Sequence, residues 1–80
     1  MPTVLREDGF EFMLYTNDHE PEHVHAHKAG KEVVINLGSE ISPVIIREVM
    51  GLSKKDTRKA VRIAQKHQDY LLGRWREIHG

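Results

Sequence analysis

Residues 54–78 contain no proline, and Gly73 is the only weak helix former among them. Twenty-five residues of this kind constrain the fold more than any other feature, because an uninterrupted amphipathic run must lay its apolar face on something. Thr57, Ala60, Val61, Ala64, Gln68, Leu71, Trp75 and Ile78 recur at helical spacing and form one stripe. Ser53-Lys54-Lys55-Asp56 has the form of a capping box, with Asp in place of the usual Glu or Gln. The pattern predicts one long helix over about 53–79. At about 1.5 Å per residue it would be roughly 37 Å long. That exceeds the sheet a short chain can offer, so Leu72, Trp75 and Ile78 are expected to overhang and to pack on a second copy of the chain.

The rest of the chain reads as strands. Val4-Leu5-Arg6, then the turn dipeptide Asp8-Gly9, then Phe10 to Tyr15, predict a hairpin. His23 to Lys28 alternates, with His23, His25 and His27 on one face and Val24 and Ala26 on the other. Ala29-Gly30-Lys31 closes a second hairpin onto residues 32–37. Residues 44–49 are β-branched and are read as a further strand, with a helix as the alternative. The expected fold is α+β: a small antiparallel sheet of four or five strands over 1–50, with one long C-terminal helix packed across one face, in a single domain of 1–80.

Eighty residues bury little surface, so such a domain usually needs a staple. There are no cysteines, which removes disulfides and thiolate zinc sites. No apolar run approaches a membrane span, and the N-terminal residues carry charges where a signal peptide needs an apolar core. A cytoplasmic protein without membrane association is expected.

Formal net charge is zero, yet the charge is sorted. Residues 1–40 hold three Lys/Arg and eight Asp/Glu, and residues 41–80 hold nine and four. Lys54, Lys55, Arg58, Lys59, Arg62 and Lys66 fall within an arc of roughly 140° opposite the apolar stripe. Solvated faces normally mix signs, so a ridge this basic points to a polyanion such as RNA, with an acidic partner or plain attraction between the halves as alternatives.

The chemistry-bearing string is Asn17-Asp18-His19-Glu20-Pro21-Glu22-His23-Val24-His25-Ala26-His27, which holds four of the six histidines. Alternate strand residues lie about 6.6–7 Å apart on one face, so two imidazoles can converge on one atom, whereas His23 and His27 are about 13 Å apart and cannot. Three uses are open. His19 and His23 can form an acid–base pair, with His25 on a phosphate and Asp18 as a carboxylate orienter. Two or three of the histidines with Asp18 can hold zinc or a similar ion with a position left for water. The string can also be a solvated strand face. The catalytic candidates are Asp18, His19, His23 and His25. The candidate nucleic-acid contacts are Lys55, Arg58, Lys59, Arg62 and Lys66. No cofactor is assigned.

Met1 to Arg6, Gly9-Phe10, the Asn-Asp-His-x-Pro-x-His-Val-His string and Trp75-Arg76-Glu77-Ile78-His79 together resemble the bacterial family of domain of unknown function 4160, over essentially the whole chain. That resemblance implies the toxin half of a type II toxin–antitoxin pair, a cognate antitoxin partner and translation or RNA as target. Members are often encoded beside a second small protein, domain of unknown function 2442. It implies no established catalytic residue. It marks Asn17, Asp18, His19, Pro21, His23 and His25 as the functional surface, and His27 lies outside its pattern. A noncatalytic protein-binding module, using the turn and the Trp75 end, is the alternative function.

Overall fold

The structure is a computed structural model that describes residues 2–80. Five strands come first: β1 (Thr3–Glu7), β2 (Phe10–Met13), β3 (His23–Lys28), β4 (Lys31–Asn36) and β5 (Ile45–Met50). They form one antiparallel meander in the order β1-β2-β3-β4-β5. Asp8 and Gly9 have φ of 52° and 82°, and Ala29 and Gly30 have 51° and 78°. Two consecutive positive φ values define the turn whose twist matches that of paired strands, so both hairpins close in two residues. The second hairpin fixes a register in which His27 faces Glu32 and His25 faces Val34.

Alternation then sorts the faces. Phe10, Phe12, Val24, Ala26, Val33 and Ile35 are buried and join Ala60, Ile63, Ala64, Leu71 and Trp75 in one core. The β-branched segment after Pro43 is a strand, as its composition predicts, and it lies at the sheet edge with every residue exposed.

The helical half differs from expectation. Ser53 caps α1 (Lys54–Lys66), its Oγ accepting from the Asp56 amide at 3.1 Å. The helix then breaks at His67, where φ is −109° and ψ 22°, and α2 (Gln68–His79) follows at once. There are two helices rather than one long one. Neither proline nor glycine causes the break, and Gly73 stays helical. The joint is held from outside the helix. Glu7 of β1 accepts from Lys66 Nζ at 2.8 Å and pairs with His67 Nε2 at 2.9 Å, while Gln68 donates to the Leu37 carbonyl at 2.7 Å. Beyond the joint α2 stays packed on the core of its own chain. Leu72 and Trp75 are therefore buried and Ile78 packs against the core, so the expected overhang, and with it the basis for a helix-mediated homo-oligomer, is absent. The longest dimension is 33 Å, shorter than the straight rod would have been. Among the described residues no helix is long and apolar enough to cross a membrane.

Candidate metal centre

The turn between β2 and β3 is organised by its own backbone. The Asp18 amide donates to the Tyr15 carbonyl at 3.1 Å, and Asp18 Oδ2 accepts from the Tyr15 amide at 3.3 Å. This reciprocal pair is the side-chain-to-backbone bonding that Asp favours in turns. It holds the carboxylate over the end of β3.

Two histidines of β3 meet that carboxylate. His23 Nε2 lies 3.4 Å and His25 Nε2 3.1 Å from the same oxygen, Asp18 Oδ2. The other nitrogen of each ring is also occupied. His23 Nδ1 is 2.8 Å from the Pro21 carbonyl, and His25 Nδ1 is 2.7 Å from Glu32 Oε2. If each Nδ1 carries the proton and donates it, both Nε2 lone pairs point at a carboxylate oxygen. Three electron-rich atoms facing one another are stable only with positive charge among them, supplied by an extra proton or by a metal ion. Metal-binding histidines characteristically donate their second ring N–H to a carbonyl or a carboxylate, which fixes the tautomer. Bonds of about 2.0–2.1 Å at tetrahedral or octahedral angles separate neighbouring ligand atoms by roughly 2.9–3.4 Å, and the separation of Asp18 Oδ2 from each imidazole falls in that range. One donor atom from each of Asp18, His23 and His25 falls within 4.8 Å of the other two.

The surroundings are partly dry and negative. His23 is buried, and the side chains of Asp18 and His25 are 16% and 17% exposed. The Tyr15 ring meets His25 edge-on at 4.8 Å. Burial pushes the Tyr15 phenol above its usual value, and the charges of Glu32 and Asp18 push in the same direction. His23 also packs on His25 at 5.2 Å and on Trp75 at 5.3 Å, and Trp75 stacks on His79 at 3.8 Å. His79 lies 3.1 Å from the Tyr15 carbonyl and ties the end of α2 to the turn.

An open cleft meets the triad at Asp18. Its other walls include His19, Glu20, Glu22, Trp75, Arg76 and His79. His19 is exposed there and stands outside the triad. The structure thus brings together three of the four residues singled out as catalytic and leaves His19 as a neighbour across the cleft. His27 is also outside, with Nε2 3.5 Å from Glu32 Oε1. The sequence assigned no role here to Glu32 or Tyr15, and it marked Trp75 and His79 only through the family resemblance and the alternative binding surface. Glu32 alone had a usable signal, because a two-residue turn at Ala29-Gly30 sets it diagonal to His25.

The basic ridge lies elsewhere. Lys54, Lys55, Arg58, Arg62 and Lys66 are exposed and Lys59 is half-buried. Lys66 is engaged by Glu7, and this pairing holds the Glu7 carboxyl below its usual value and raises the Lys66 ammonium above its own. Among the described residues, Lys55, Arg58, Lys59 and Arg62 form no ion pair. The core joins α1 to the Val24–Ala26 side of the sheet, so the outer face of α1 and the His25 side of β3 point in opposite directions.

A five-stranded antiparallel meander backed by two helices, with two histidines and a carboxylate at the end of its middle strand, defines a small α+β domain with a candidate divalent-metal site. The chain matches the model of the family described as Domain of unknown function (DUF4160) over residues 9–76, and it belongs to that family. No curated protein and no solved structure matches it.

Proposed function

We propose that this domain binds one divalent transition-metal ion through Asp18, His23 and His25 and hydrolyses RNA with it, as the toxin-like half of a cytoplasmic type II toxin–antitoxin pair. The convergence of two imidazole Nε2 atoms on one Asp18 oxygen, with both Nδ1 atoms already held, carries the reading. Two histidines and one carboxylate suit zinc or a similar ion and leave coordination positions free. Such an ion lowers the pKa of a bound water to about 7 and polarises a phosphoryl oxygen. His19, exposed on the same cleft, supplies a proton to the leaving oxygen, and Arg76 binds the phosphate.

The unpaired cations of α1 support an RNA ligand. They face away from the site, so the RNA must be long enough to pass round the domain, or the ridge serves to gather it. The antitoxin partner rests on the resemblance to the family of domain of unknown function 4160, whose members are proposed as toxins.

The test is metal analysis of purified protein beside an RNA-cleavage assay, for wild type, Asp18→Asn and His25→Ala. Wild type should hold one equivalent of metal, lose it in both variants, and cleave RNA only when loaded. Bound metal without turnover would leave a structural metal domain, and RNA cleavage indifferent to chelator would favour the histidine acid–base pair instead. Metal-free protein that cleaves nothing but forms a tight complex with its neighbour would leave the noncatalytic binding module. In cells, growth arrest on induction, relieved by the neighbouring gene product, tests the toxin–antitoxin assignment.

A further inference from the structure

We propose that the outer edge of β5 pairs with β5 of a second copy, joining two five-stranded sheets into one of ten strands. A sheet edge presents unmet N–H and C=O groups, and proteins usually guard it. The other edge is guarded. In β1 the Val4 carbonyl accepts from the Tyr70 hydroxyl at 2.8 Å, and Glu7 is held by Lys66 and His67. The β5 edge has no such cover among the described residues, and it is apolar. Ile45, Ile46, Val49 and Met50 are 50%, 47%, 44% and 40% exposed.

The sequence of β5 identifies the occupant. Ile45-Ile46-Arg47-Glu48-Val49-Met50 is two apolar residues, a cation, an anion and two apolar residues. Laid antiparallel on itself about its centre, Ile45 faces Met50, Ile46 faces Val49, and Arg47 faces Glu48 in both directions. Every apolar residue meets an apolar one and every charge meets its opposite, the combinations that stabilise cross-strand pairs.

The bulge makes this register geometrically allowed. A two-fold axis between adjacent antiparallel strands stands perpendicular to the sheet and maps each face onto itself. Residues can then pair only with residues on the same face. In a regular strand, positions three apart such as 46 and 49 lie on opposite faces. In β5 the register shifts across Arg47: Ile46 faces Ile35 and Val49 faces Val33. Ile35 and Val33 both point into the core, so Ile46 and Val49 share the helix side. By the same register, Ile45 and Glu48 fall on the other side, as Met50 does by alternation from Val49. The extra residue puts both apolar pairs on common faces and leaves the two Arg47–Glu48 pairs beside the two-fold axis.

Sedimentation velocity across a concentration series tests this on the intact chain. Wild type should show a reversible monomer–dimer equilibrium. Arg47→Glu, or Glu48→Arg, sets like charges opposite each other at two symmetry-related places and should raise the dimer dissociation constant by about tenfold or more. The double substitution Arg47→Glu with Glu48→Arg restores opposite charges and should restore the dimer. All these side chains are exposed, so folding is not at stake. Wild type that stays monomeric to near-millimolar concentration overturns the proposal. So does a dimer insensitive to the single changes, and so does a double variant no tighter than the singles. A β5 edge that pairs only with a different protein also overturns it.

Discussion

Glu32 is the residue whose removal tests the site most sharply, because it touches no metal in the proposed arrangement. Its Oε2 is 2.7 Å from His25 Nδ1, a charge-assisted contact, and its side chain is only 21% exposed. With the carboxylate present, the Nδ1 proton is held and Nε2 is left free as the ligand atom. Loss of such a partner typically lowers metal affinity about 10–100-fold, equivalent to roughly 1.4–2.7 kcal/mol. Glu32→Gln keeps the shape and one acceptor oxygen, so it belongs near the tenfold end. Glu32→Leu removes the acceptor and belongs near the hundredfold end. The assay is zinc titration against a competing chelator, beside thermal unfolding of the metal-free forms. Glu20→Gln, exposed on the same cleft, serves as a control and should leave affinity unaltered. Unchanged zinc affinity in both Glu32 variants would refute the claim that Glu32 sets the His25 tautomer. A lower metal-free melting temperature with unchanged affinity would reduce Glu32 to a structural contact.

Three further outcomes follow from other parts of the fold. Ser53→Ala removes the acceptor of the Asp56 amide and should cost about 1 kcal/mol, read as a lower denaturant midpoint with unchanged slope. Arg58→Glu with Arg62→Glu should abolish RNA binding, and wild-type affinity should fall steeply with salt; salt-independent binding would remove the polyanion reading of α1. The Glu7 carboxyl is held below its usual 4.5, first by Lys66 and then by His67. A folded value below the unfolded one gives stability that is present above about pH 4.5 and is lost as pH falls through the lowered value. Glu7→Gln should therefore flatten the acid limb of the stability–pH curve, and acid unfolding curves that superimpose would refute it.

What the sequence disclosed was local. Asp8-Gly9 closes a two-residue hairpin because Asp tolerates and Gly readily adopts positive φ, Gly30 does the same in the second hairpin although Ala29 beside it is held at φ 51° against its own preference, and Ser53 caps because its hydroxyl reaches three residues on. The β-branched residues after Pro43 chose strand over helix for the same kind of reason. The break at His67 was hidden because its partner, Glu7, is sixty residues away and no helix breaker marks the spot. The site was half legible. Strand alternation brings His23 and His25 together, but whether Asp18 or His19 turns inward depends on the Tyr15 backbone that Asp18 grips. Glu32 could be reached only through the hairpin register, and the contacts of Trp75 and His79 with the site only through the path of α2 over the core.

The position of Trp75 has an optical consequence. It is the only tryptophan in the chain, and its ring lies 5.3 Å from the His23 imidazole and stacks on that of His79. Indole emission is quenched more strongly by a protonated imidazole than by a neutral one, and it also shifts with local polarity. Excited beyond the absorption of the two tyrosines, the protein's fluorescence is thus that of one ring in contact with a candidate ligand. Loading, emptying or acidifying the site can be followed in the native chain with no label and no engineered probe.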